Sequence, residues 1–172
     1  IGPLTLWLNT IGNYNVAVGD SAFSNNTTGG YNSAIGPLTL MNNTSGSYNV
    51  ANGYFALSNN TIGTRNTAGG YASLLANTVG TNNSAYGNNA LSANKTGSYN
   101  SAYGDTALAN SVANSNNTAI GRNAGYNALV LTGSNNTFLG YNTTYSGLVS
   151  NSTAVGANVV LAQNNTVILG AA

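Results

Sequence analysis

Apolar and polar positions along this chain return in phase every 17 residues. A large apolar side chain stands at Leu6, Phe23, Leu40, Leu57, Leu74, Leu91 and Leu108. The position before each is small: Thr5, Ala22, Thr39, Ala56, Ser73, Ala90 and Ala107. An alanine returns at Ala17, Ala34, Ala51, Ala68, Ala85, Ala102 and Ala119. Asparagine keeps the same step in two sets. One is Asn9, Asn26, Asn43, Asn60, Asn77 and Asn94; the other is Asn15, Asn32, Asn49, Asn66, Asn83, Asn100 and Asn117. Two glycines punctuate each unit. The first falls at Gly2, Gly19, Gly36, Gly53, Gly70, Gly87, Gly104 and Gly121, the second at Gly12, Gly29, Gly46, Gly63, Gly80 and Gly97. A fixed phase held this long marks a repeat architecture, and disorder of so polar a chain would need no phase at all.

A unit with two glycines and several asparagines leaves no room for an apolar stripe of helical period. The segment Tyr31–Ile35 instead alternates as a short strand, with Asn32 and Ala34 on one side and Tyr31, Ser33 and Ile35 on the other. A second short strand is expected near Leu38–Met41, with glycines and Asn-Asn pairs at the corners. Where the next second glycine is due stands Asn114. Asparagine tolerates positive φ best among non-glycine residues, so this corner is expected to be left-handed.

Two strands and two corners make one coil of an all-β, parallel β-solenoid. About ten coils at ~4.8 Å each give a rod of roughly 50 Å. The invariant Ala slot and the Leu slot are expected inside. The slot after the alanine reads Val18, Ile35, Asn52, Gly69, Tyr86, Tyr103 and Ile120; that variety, and the tyrosines, point outward. So thin a coil buries little, which predicts lateral association, most simply three rods about a threefold axis. Residues 1–121 are regular, whereas 122–172 drift to spacings of 19, 16 and 14 as irregular coils of the same solenoid. Ile1-Gly2 matches Ile35-Gly36, so the chain starts in mid-repeat, as a fragment or processed product of something longer would.

At Asn32-Ser33-Ala34-Ile35-Gly36, Asn117-Thr118-Ala119-Ile120-Gly121, Gly87-Asn88-Asn89-Ala90-Leu91 and Ser152-Thr153-Ala154-Val155-Gly156-Ala157-Asn158 the chain resembles the repetitive shaft of phage-type tail fibres and bacterial surface fibres. It also resembles the related head repeats of trimeric autotransporter adhesins, which usually repeat at about 14 residues. The resemblance implies a left-handed parallel β-roll, a homotrimer, and exposure outside a cell or virion. It also implies that the Ser33/Ile35 side points inward, against the slot argument.

Charge is nearly absent: three Lys/Arg and two Asp/Glu, net +1. In stacked coils a repeated charge would form a column of like charges, while neutral hydrogen-bonding residues stack in register without that cost. The balance leaves no footprint for nucleic acid. No stretch is long and apolar enough for a membrane helix. Without His or Cys there is no Ser-His-Asp or Cys-His catalysis, no usual zinc site and no disulfide. Asp20 and Asp105 lie five repeats apart, ~24 Å along a column, too far for a glycosidase pair. No cofactor is implied.

What remains is architectural. Candidate glycosylation sequons stand at Asn26, Asn43, Asn59 and Asn94, on corners expected to be exposed. Asn and Thr ladders capping those corners are the competing reading. Tyrosines form columns at Tyr14, Tyr31 and Tyr48 and at Tyr86 and Tyr103, suited to cross-strand packing, a sugar or a neighbouring fibre. The sequence thus predicts a self-associating structural module: a shaft, stalk or filament outside the cell. The alternative is an adhesin segment gripping glycans or surfaces through Tyr/Asn columns. Ice binding, which flat Thr ladders favour, ranks below both, and enzyme ranks last.

Overall fold

The computed structural model describes residues 2–126 and 133–170 and contains no helix there. Three-residue strands recur once per coil: β1 (Val16–Val18), β2 (Ser33–Ile35), β3 (Val50–Asn52), β4 (Thr67–Gly69), β5 (Ser84–Tyr86), β6 (Ser101–Tyr103), β7 (Thr118–Ile120) and β8 (Thr137–Leu139). Then come β9 (Thr144–Tyr145), β10 (Thr153–Val155), β11 (Val160–Leu161) and β12 (Val167–Leu169). One ten-stranded sheet runs β1 to β8, then β10 and β12, and every pair is parallel. Register is in phase: Ala34 lies beside Ala51, and Ala51 beside Ala68. This is the β-solenoid that the 17-residue period requires. The insertion before Gly133 lies outside the described residues.

The interior holds the repeated small and apolar slots. Ala34, Ala51, Ala68 and Ala85 are buried in one column, and Leu40, Leu57, Leu74, Leu91 and Leu108 in another. The side facing in is therefore the alanine side. Ser33 is half-buried and Ile35 is 43% exposed, so the inward orientation implied by the fibre resemblance is not the one adopted. Alanine fits because facing walls leave no space for more. Hydroxyls in the small column turn back onto the glycine carbonyl three residues earlier, as in Thr39 Oγ1 to Gly36 O at 2.7 Å and Ser73 Oγ to Gly70 O at 3.1 Å.

Both asparagine sets form internal ladders along the rod. In the first, Asn43 Nδ2 donates to Asn26 Oδ1 (2.9 Å), Asn60 to Asn43 (2.7 Å), and Asn77 and Asn94 continue the series at 2.8 Å. In the second, Asn49 Nδ2 donates to Asn32 Oδ1 (3.1 Å) and to Gly63 O in the next coil (2.9 Å). The Asn49 backbone N–H also donates to Asn32 Oδ1, at 2.9 Å. Amides within the ladders, such as Asn43 and Asn49, thus satisfy three or four partners each, which is what permits a buried polar column.

Two local expectations are corrected. Leu38–Met41 is a chain of turns, not a strand. Leu38 and Leu40 both have positive φ, 58° and 47°, and the same two slots are left-handed in every regular coil. Alternating left-handed residues bend the chain around the core, while backbone bonds still run to the next coil (Leu40 N to Ala56 O, 3.1 Å). Among the described residues a second strand appears only in the shorter C-terminal coils, as β9 pairing β11, where the second of those slots is no longer left-handed.

The second-glycine corner is the other correction. Neither those glycines nor Asn114 has positive φ. The cause is crowding: a Cβ on Gly63 would stand 2.4 Å from Asn60 Oδ1 and 2.5 Å from Gly80 O. The positive-φ requirement belongs to the first glycines instead. Gly87 has φ of 137°, and a Cβ there would also meet Gly104 O at 2.4 Å.

Asn114 is admitted because the first ladder stops beside it. The slot after Asn94 is Ser111, whose side chain is too short to crowd position 114. The stop leaves Asn94 Oδ1 and Ser111 Oγ buried without partners. Two changes together should mend it. Ser111→Asn alone is expected to crowd the Asn114 Cβ and gain nothing. Ser111→Asn with Asn114→Gly should recover about 1–2 kcal/mol and raise Tm by roughly 2–6 °C in thermal melts. Equal melts for the single and double variants would refute the coupling.

Candidate functional site

With the alanines and amides committed to the interior, the surfaces left are columns of outward side chains. Gly19, Gly36, Gly53, Gly70, Gly87 and Gly104 end their strands at one edge of the sheet. Asn32 and Asn49 are internal. Asn26, Asn43 and Asn94 also prove internal, each 0% exposed and bonded in the first ladder. The expectation of exposed sequons at these three is therefore corrected: their Nδ2 atoms are spent on neighbouring carbonyls, as in Asn43 to Gly46 O at 3.0 Å. Asn59 differs. It is exposed, and its Oδ1 accepts from Asn42 Nδ2 at 3.1 Å in an outer ladder.

Tyr14, Tyr31 and Tyr48 stack at 4.9 Å between successive ring centroids, and the Arg65 guanidinium lies 5.7 Å over the Tyr48 ring. A shallow groove of about 240 Å³, lined partly by Ile11, Thr28 and Ser47, runs alongside. The stack settles what this column can offer. Its ring faces cover one another, so edges and hydroxyls, not open faces, meet solvent. Apolar stacking of a sugar on these rings is therefore blocked except at Tyr14, and hydrogen bonding along the column is what is left.

The charges mark corners. Asp105 and Arg122 sit in adjacent coils of one column, 3.6 Å apart with both side chains well exposed, a pair worth little in stability. Arg122 also lies 5.9 Å over the Tyr141 ring. Opposite charges as neighbours avoid the repulsion that a repeated charge would create. Among the described residues no three His, Cys, Asp or Glu side chains cluster as metal ligands, and no helix is long and apolar enough to cross a membrane.

A further continuous surface is the outer face of the ten-stranded sheet. Its first column runs Val16, Ser33, Val50, Thr67, Ser84, Ser101, Thr118 and Thr137. Its third column runs Val18, Ile35, Asn52, Gly69, Tyr86, Tyr103, Ile120 and Leu139. No position on it is charged. Tyr86 and Tyr103 stack at 5.3 Å and form a ridge. Beside the ridge, over β3 and β4, lies an open recess of about 570 Å³ bounded by Val50, Asn52, Thr67, Gly69 and Tyr86. At Gly69 the Tyr86 ring leans over the backbone, 2.7 Å from where a Cβ would stand. The sequence showed the variety of this column, but not that the Tyr86 ring leans over Gly69.

No family model, curated protein or solved structure matches the chain.

Proposed function

We propose that this chain is a structural module: a stiff β-solenoid rod that builds a shaft, stalk or filament displayed outside a cell or virion and associates laterally with copies of itself. The observation that carries this reading is the coil-to-coil bonding along the rod. Backbone bonds such as Ser33 N to Asn49 O (2.9 Å) and Val50 N to Asn66 O (2.9 Å) run parallel to two internal amide ladders through successive coils. Bending or pulling the rod strains all of these bonds together, and backbone held in them is not free to enter a protease site. Negative-stain electron microscopy with limited proteolysis tests it. Straight rods that resist protease are expected; a flexible chain cut throughout its length would end the reading.

The second reading, an adhesin segment that grips glycans or surfaces, is favoured by one feature, the exposed Tyr14–Tyr31–Tyr48 column beside its groove. Its ligand would be held by phenol hydroxyls and by Asn and Thr side chains along the rod. A glycan array probed with the intact chain separates the two readings, since the structural one expects no retained class.

A further inference from the structure

The Tyr14–Tyr31–Tyr48 column ends on a cation. Arg65 stands in the slot that the three tyrosines hold in the coils before it, exposed and with its guanidinium over the Tyr48 ring. Among the described residues the only ion pair joins Asp105 to Arg122, so no carboxylate neutralises Arg65. Asp20 and Asp105 follow their strands, whereas Arg65 precedes β4, so the acids lie at the other edge of the sheet. The ring contact holds a side chain that would otherwise sample many positions, which lowers the entropy lost when its fork takes an oxyanion. A column of phenol hydroxyls therefore finishes in a held and unpaired positive charge.

We propose that this column binds a linear acidic polysaccharide, one sugar to each coil, with a uronate carboxylate on Arg65 and sugar hydroxyls on the phenols of Tyr48, Tyr31 and Tyr14. The proposal rests on the adhesin reading above and names its ligand class.

Three features select this ligand. The first is the kind of contact on offer. The ring faces are covered by one another, and each phenol oxygen both donates and accepts, as sugar hydroxyls do. Asn13 and Thr28, both exposed, add polar atoms along the adjoining groove. The second is the step. The rungs recur at 4.9 Å, and an extended β-1,4-linked pyranose chain advances by close to the same distance per sugar. A contact made on one rung is thus repeated on the next. An extended peptide advances only ~3.4 Å per residue and falls out of phase. The third is charge. A guanidinium meets a planar carboxylate through two parallel hydrogen bonds, each stronger than a neutral one, and no acidic side chain of the chain competes for this one.

Titration calorimetry of the intact chain with two tetrasaccharides tests this. One is β-1,4-linked mannuronate; the other is β-1,4-linked mannose, with a hydroxymethyl group where the first has its carboxylate. The mannuronate tetramer is expected to bind, and the mannose tetramer to bind at least about tenfold more weakly. Arg65→Gln alters an exposed side chain and should keep the native circular dichroism spectrum. It should cost about ten- to a hundredfold in affinity for mannuronate and change mannose binding little. Arg65→Lys should recover only part of that loss, because an ammonium lacks the fork. Tyr31→Phe keeps the ring and removes one hydroxyl, so it should weaken both sugars by about three- to tenfold. Equal binding of the two tetramers, full affinity in Arg65→Gln, or no effect of Tyr31→Phe would each overturn the proposal. Equal binding that Tyr31→Phe still weakens would sink the acidic ligand and leave the adhesin reading standing. Binding of neither tetramer also overturns the proposal, and the glycan array then decides the adhesin reading on its own.

Discussion

Asn66→Asp, a change of one amide nitrogen for an oxygen, is expected to remove about 3–5 kcal/mol of stability at neutral pH. That is a large part of the 5–15 kcal/mol of a typical domain. The reason lies in the directions of the hydrogen bonds. Asn66 is 0% exposed, and its Nδ2 donates to Asn49 Oδ1 at 3.3 Å and to Gly80 O at 2.8 Å. Its Oδ1 accepts from the backbone N–H and the Nδ2 of Asn83, at 3.0 and 3.1 Å. A carboxylate keeps the second pair and turns the first into two oxygen–oxygen contacts, with a charge buried between them. Both burial and those contacts favour the neutral form, so the folded-state pKa of the new carboxyl rises above its unfolded value of about 3.9. A group raised in this way stabilises most below the unfolded pKa, and that stability is lost as pH rises through the folded one. The variant should therefore melt higher at pH 4 than at pH 7. The native chain, with two carboxylates and no His, supplies the reference melts. A loss independent of pH would show that the amide is not enclosed as described.

The same ladder explains how far the sequence could be read. Period, strand and inward slots were legible because each follows from one constraint: stacked coils repeat every environment, so a residue type fixed in phase reports its surroundings. Ala34 and Leu40 could be placed inside on that ground alone. The corners were less legible, because two constraints there leave the same mark. A glycine at Gly63 and one at Gly87 look alike in the sequence, yet the first avoids Asn60 and the Gly80 carbonyl while the second also needs positive φ. Left-handed Leu38 and Leu40 left no signal, since bulky apolar residues are poor candidates for that conformation on local grounds. Their cost, of order 1–2 kcal/mol per residue, is offset by packing and coil-to-coil bonding that local propensity does not contain. The outer face was legible only as variety, because its pattern runs across coils rather than along the chain.

One departure from the period tests the packing argument most directly. In the eighth coil the large apolar slot holds Gly125, and in the next the alanine column holds Phe138, paired with Ala119 in the sheet. The two exceptions are one exchange. A Cβ on Gly125 would stand 2.7 Å from Leu108 Cδ2 and 2.9 Å from Phe138 Cδ2, so the Phe138 ring occupies the space that a leucine vacates. Phe138 is 0% exposed and also meets the Tyr145 ring at 5.9 Å. Phe138→Ala should therefore cost about 3–5 kcal/mol, by the lost transfer energy and the cavity left behind. Gly125→Leu alone should cost about 1–3 kcal/mol by overpacking. Together they restore the arrangement of the regular coils, whose leucines adopt φ near 50°, close to the 64° of Gly125. The double variant should then be more stable than Phe138→Ala, with a coupling energy of about 2 kcal/mol or more in a urea-denaturation cycle. Additive losses would mean that the ring and the missing leucine do not share one volume, and that the irregular coils are packed on a different plan from the regular ones.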